Sequence, residues 1–259
     1  MVADARRLTG YLGRMPPDPL APLLDLADVP AALAAARERV DDALRHRALR
    51  RQGGPVAAES GLRAAVASAA LEGSRHEVDD VRAGTVTAPV LQGALRVSQA
   101  LGGLTDLWMR APRQVLARLH MLAARGVVAD ADLGRLRSGS ERVDALARLV
   151  AGNDTSPPLV LAAVVHAELL TLRPFAGPSG VIARAASRLT LIGRGLDPRG
   201  LLAVEVGHLR REPEYVGAAG AYATGTPDGI RAWLRHHAHA VQEAADELVS
   251  VGDEVLTRR

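Results

Sequence analysis

The sequence predicts an all-α protein, and three observations carry that prediction. The 259-residue chain is 48% apolar but holds only one Phe, two Trp and three Tyr, so its core must be built from Leu, Val and Ala. Leu and Ala favour helices, and Val is tolerated in a buried one. Strand signals are weak: only "GVVADADLGRLRSGS", Gly126 to Ser140, has the composition of a short hairpin. No 20–50-residue repeat and no low-complexity tail interrupts the helical pattern.

The elements follow in order. The lead-in, residues 1–30, is Pro-rich and loosely patterned. From Ala31 to Arg51, strong helix formers with charges along one face predict a surface helix. "QGGP", Gln52 to Pro55, breaks it. A second helix is expected from about Val56 to Glu72, ending at Gly73, a residue type common just past a helix end. Further helices are expected at 88–101, 105–125, 141–151, 157–172, 180–194, 199–211 and 229–256. Residues 1–55 thus read as an N-terminal segment and helix, and 56–259 as the main domain.

Composition excludes several functions. The chain has no cysteine, so no disulfide framework and no thiolate metal site. Every one of its 32 cationic side chains is arginine. Because arginine never deprotonates, the isoelectric point reaches about 10.1 although the net charge is only +3. Acids are mixed with the arginines and no aromatic-studded basic cluster occurs, so nucleic-acid binding is not expected. Schiff-base chemistry is excluded with lysine. All-arginine, alanine-rich usage is expected of a GC-rich genome such as an actinobacterial one. Residues 1–20 lack an apolar secretory core. The most apolar stretch, Leu159 to Leu172, carries His166 and Glu168 and is too short to span a bilayer. A cytoplasmic protein without membrane contact is the expectation.

Common enzyme signatures fail in their context. "GRGLDPRG", Gly193 to Gly200, follows a predicted helix rather than a strand, which argues against dinucleotide binding. A phosphate-binding Walker loop needs a lysine. In "HHAH" only His236 and His239 share a helix face. With no third ligand in reach, a solvated helix surface and no metal are expected there. His46, His76, His120 and His208 stand singly and read as structural or exposed.

One stretch carries more. "HAELLTLRPFAGPSGVIARAASRL", His166 to Leu189, reads as helix, loop and helix. It resembles the core of the Fic/Doc family, whose signature HPFxxGNGRxxR follows a buried helix. "PP" at the start of the preceding helix and its AxxxH pattern ending at His166 are similar too. So are "VLARLHMLAARG" (Val115 to Gly126), which resembles the helix leading into the family's substrate flap, and the closing segment containing Trp233. "SAALEG", Ser68 to Gly73, fits the (S/T)xxxE(G/N) inhibitory motif that some members carry on an N-terminal helix. The similarity covers roughly residues 56–248. It implies an all-α Fic-like bundle with an N-terminal helical extension, an inhibitory helix at about 56–73, a core at about 105–248 and at most a vestigial hairpin flap.

The resemblance also implies which residues have changed. The family's basic histidine falls on Arg173; Pro174 and Phe175 match. The metal-binding acid falls on Gly177, the next glycine on Pro178 and the asparagine on Ser179. Gly180 is retained, the first arginine falls on Val181, and the second is retained as Arg184. A guanidinium cannot act as general base at neutral pH, a loss worth about 10²–10⁴ in rate. Gly177 offers Mg²⁺ no carboxylate. Pro178 removes an N–H from the turn, and Val181 removes a phosphate clamp. "GRLRSGSERVDA", Gly134 to Ala145, passes almost directly into the next helix, so the flap is shortened.

An ion pair between Glu72 and Arg184 is expected, as in inhibited members. Around the 180–194 helix N-terminus, Arg173, Arg184 and Arg188 are candidates for binding an anion without metal. The opposing reading pairs them with Glu72, Glu168 and backbone carbonyls. The favoured function is a catalytically degenerate binding or regulatory module with an unidentified protein partner, possible self-association as a homodimer, and no cofactor. The first alternative is a residual nucleotide-dependent, AMPylation-like transferase using ATP, with or without Mg²⁺, through the arginines. The second is an unrelated oxidoreductase on a helical scaffold.

Overall fold

Proline sets where many of the helices begin. Its fixed φ suits the first helical turn, where its missing N–H is not needed, and it disfavours helix for the residue before it. In the computed structural model, which describes residues 18–152 and 155–258, six helices start this way: α1 (Val29–Leu44), α5 (Pro89–Trp108), α6 (Pro112–Ala124), α8 (Pro158–Leu172), α11 (Glu212–Ala223) and α12 (Pro227–Thr257). The others are α2 (Ala48–Arg51), α3 (Gly53–Ala70), α4 (Val78–Arg82), α7 (Ser140–Ala151), α9 (Ser179–Gly193) and α10 (Val204–Arg210). The protein is all-α: no strand occurs among the described residues, and the expected hairpin segment holds one isolated bridge, Arg125 to Val128, and a 3-10 turn at Asp130–Asp132. Residues 1–17 of the Pro-rich lead-in lie outside the described residues.

The centre of the bundle is the pair α8 and α9, packed along each other. Both are buried nearly all round: α8 lacks a polar face, and on α9 the polar side chains of Arg184, Ser187 and Arg188 are buried with hydrogen-bonding partners. Helices α3, α5 and α6 cover α9, while α11 and α12 cover α8. The 31-residue α12 also packs against α1, α3 and α10. Two buried tryptophans satisfy their N–H groups across these contacts: Trp108 donates to Thr190 Oγ1 at 3.0 Å and Trp233 to the Ala163 carbonyl at 2.8 Å. Val29, Leu33, Ala36 and Val40 of α1 belong to the same hydrophobic cluster as the α8–α9 pair.

Several boundaries differ from the sequence expectation, each for a local reason. The expected helix over 31–51 is interrupted after Leu44, where His46 turns back and its Nδ1 accepts the Ala48 N–H at 3.4 Å. Gly102 and Gly103 do not break α5; they lie on its exposed face while Leu101, Leu104 and Trp108 keep the buried stripe. The break comes instead at Ala111, before Pro112. The helix expected from 199 starts only at Val204, because the Asp197 carboxylate accepts the Leu201 and Leu202 N–H groups at 2.9 and 2.8 Å and holds a turn there. Helix α11 was not among the expected ranges; the glycines of "VGAAGAYATG" obscure its periodicity.

Candidate functional site

The loop between α8 and α9 is shaped by its first residue. Arg173 closes α8 in the left-handed conformation, φ 41° and ψ 57°, and turns the chain out of the bundle. Pro174 and Phe175 are buried beneath the loop. His120 of α6 holds it from below: its ring stacks on Phe175 at 4.7 Å, its Nε2 donates to the Ala176 carbonyl at 2.9 Å, and its Nδ1 accepts the Gly134 N–H at 2.9 Å. That arrangement needs a neutral imidazole, and burial holds the His120 pKa below its ordinary value despite the opposing pull of the Ala176 bond. The segment before α7 touches the loop through a backbone bond, Arg137 N–H to the Pro174 carbonyl at 2.8 Å.

Gly177 has φ +75°, and a Cβ built on it would stand 2.9 Å from Val128 Cγ1. Neither the backbone nor the space suits a larger side chain. Pro178 is buried and precedes α9 with no side-chain cap. Ser179 Oγ donates to loop carbonyls, Phe175 at 3.3 Å and Gly177 at 3.4 Å. Val181 is buried and lies away from the loop's open side.

Arg184 is the centre of the site. Its side chain is buried, and every nitrogen has a partner: Nε donates to Ser68 Oγ at 3.0 Å, Nη1 to the Tyr215 hydroxyl at 3.2 Å, and Nη2 to the Ser68 carbonyl and Glu72 Oε1, both at 2.9 Å. Burial alone would lower its pKa, but Tyr215 and Glu72 more than offset that and hold the charge. The pair passes over Gly180, where any Cβ would collide with Glu72 Oε1. Gly73, with φ +85°, ends the turn that presents Glu72.

These groups line one cleft of about 540 Å³, with Glu72, Arg173, Gly177, Ser179, Arg184 and Tyr215 in its wall. Arg173 is exposed there, and its guanidinium has no hydrogen-bonding or ionic partner among the described residues. Arg188 does not join it. It is buried on the other side of α9, where it faces Glu205 at 3.6 Å and donates to the Gly200 carbonyl at 3.1 Å. Helical spacing placed it near the loop, but four residues from Arg184 it sits one turn further from the cleft. Glu168 is occupied by Arg142 at 2.7 Å and the Tyr222 hydroxyl at 2.9 Å.

The overall helical arrangement resembles that of solved proteins. A Fic family protein from Desulfovibrio desulfuricans G20 superposes with a TM-score of 0.69 at 23% identity, over 92% of this chain and 77% of that one. A fragment of Fic-1 from C. elegans gives a TM-score of 0.70 at 17% identity, over 90% of this chain and 75% of that one. The chain has the Fic fold. No family model and no curated protein matches the sequence. No helix among the described residues is long and apolar enough to cross a membrane.

The histidine run overturns its expected setting. His236 and His237 are buried rather than solvated, and only His239 is partly exposed. The reason is that α12 is covered on several sides at once, so adjacent residues on different faces all point inward. Isolated His166 and His208 meet them there. Tyr215, whose hydroxyl joins Arg184 to His166 Nε2 at 3.0 Å, is a site residue the sequence did not single out. Nothing in its local sequence marks it, since its partners lie on other helices.

Proposed function

We propose that this Fic-fold chain is a binding or regulatory module of the cytoplasm that does not catalyse nucleotidyl transfer, and that the Glu72–Arg184 pair ties its N-terminal helix structurally to the core. The observation that carries the reading is Gly177. Its positive φ and the nearness of Val128 leave no place for the acidic side chain that would hold Mg²⁺, so the loss extends to the backbone and is not a single exchanged side chain. Arg173 in place of a base supports it, because a guanidinium neither takes up nor releases a proton near neutral pH. Val181 faces away from the cleft, which leaves Arg184 as the conserved-signature arginine there, already engaged by Glu72. On this reading Glu72 and Ser68 keep α3 fixed to the core.

One feature favours a second reading, a nucleotide-dependent transferase of the AMPylation type: the cleft retains about 540 Å³, with Arg173, which has no partner among the described residues, at its edge. Calorimetry separates the two. ATP, ADP and GTP are titrated with and without Mg²⁺ into the wild type and into Glu72→Gly, and both forms are assayed for transfer of labelled adenylyl groups to protein. The module reading expects no Mg²⁺-dependent binding and no transfer in either form. Mg²⁺-dependent ATP binding that appears in Glu72→Gly, accompanied by transfer, overturns it.

A further inference from the structure

We propose that His166, His208 and His237 form a site for a first-row divalent metal ion of the zinc type. They come from three helices, α8, α10 and α12, and all three side chains are buried. One ring nitrogen from each lies within 4.8 Å of the others. Zinc–imidazole bonds of about 2.0–2.1 Å put tetrahedral ligand nitrogens about 3.4 Å apart, so the cluster closes on a metal with side-chain movements of about 1 Å.

Unpaired nitrogens point to a ligand. His166 Nδ1 and His208 Nε2 are buried without any hydrogen-bond partner, a condition that costs free energy unless something fills it. The same rings are oriented by further contacts. His166 Nε2 meets the Tyr215 hydroxyl at 3.0 Å, and His237 Nε2 meets Ser187 Oγ at 3.1 Å. His208 Nδ1 lies 3.0 Å from His236 Nε2, and His236 Nδ1 faces Glu214 Oε1 at 3.4 Å. With a proton on His236 Nδ1, its Nε2 accepts from His208 Nδ1, and His208 Nε2 is left with a lone pair directed into the cluster.

A thiolate-free set of three imidazoles suits Zn²⁺, Ni²⁺ or Co²⁺ rather than Mg²⁺ or Ca²⁺. The ion would tie three helices together behind the cleft wall, connected to Arg184 through Tyr215. It is a separate matter from the chemistry of the loop.

The test refolds the full, untagged chain in the presence of Co²⁺ and removes loose metal by gel filtration. The expected result is about one equivalent retained per chain, a visible d–d spectrum of a low-coordinate site and a raised Tm. His208→Gln and His237→Gln lose the spectrum, while His239→Gln keeps it. X-ray absorption at the cobalt edge on the wild type counts the imidazole ligands and keeps the test decisive if those variants do not fold. Three imidazoles support the proposal. No retained cobalt, fewer than three imidazoles, or an unchanged spectrum in a folded His208→Gln overturns it.

Discussion

Arg173 carries a backbone cost that no contact among the described residues offsets: a non-glycine residue in the left-handed region gives up about 1–2 kcal/mol, and its exposed guanidinium has no partner among the described residues. Glycine is the usual residue at such a helix end. Arg173→Gly is therefore expected to raise stability by about 1 kcal/mol in urea unfolding, reduced by the greater freedom glycine has in the unfolded chain. The same change should weaken any anion bound in the cleft, read by calorimetry with pyrophosphate. A loss of stability instead would mean that the side chain has a structural partner in solution. The identity of residue 173 was legible in the sequence. Its strained backbone was not, and neither was the role of His120, because hydrogen bonds to Ala176 and Gly134 join positions far apart in the chain.

Helix α3 is stitched to the bundle near both ends by arginine–carboxylate pairs. Near its start the buried Glu59 carboxylate accepts Arg63 Nε at 2.8 Å and Arg82 Nη2 at 2.7 Å. Arg63 reaches on to Glu247 at 2.6 Å and Glu254 at 2.5 Å of α12. Burial pushes the Glu59 carboxyl upward, but the bonds from Arg63 and Arg82 outweigh it and hold its pKa below the ordinary 4.5. A carboxyl depressed by folding contributes stability that is fully present above its unfolded value and is lost as the pH falls through the folded one. Glu59→Gln should therefore be less stable than the wild type at neutral pH, and the difference should shrink as the pH drops below 4.5. Urea unfolding of both proteins across that window checks it; a gap that widens on acidification contradicts the sign. At this scale the sequence was most informative where patterns are local. The helices on either side of the loop, expected at 157–172 and 180–194, were readable as α8 and α9. Gly102 and Gly103 were misread as a break because sequence shows a glycine but not whether it faces solvent, and the depth of His236 and His237 depended on how many helices cover α12.

For the whole molecule, the second stitch decides whether the N-terminal helix is an accessory or part of one cooperative unit. One continuous hydrophobic cluster runs from Val29 of α1 through Val56 and Ala65 of α3 to Val251 of α12, so the helix shares its core with everything it touches. The Glu72–Arg184 contact then acts on a single folding unit. Removing one partner of a buried ion pair costs about 3–5 kcal/mol. Glu72 is 21% exposed, and without it Arg184 still has Ser68 and Tyr215, so Glu72→Ala should cost less. A loss of about 2–3 kcal/mol is expected. In native-state hydrogen exchange, the slowest amides of α3 and α9 should lose protection together and by the same free energy, because opening one exposes the apolar surface of the other. If only the α3 amides lose protection, the helix opens on its own, and the Glu72–Arg184 pair is a removable latch rather than a bond within the core.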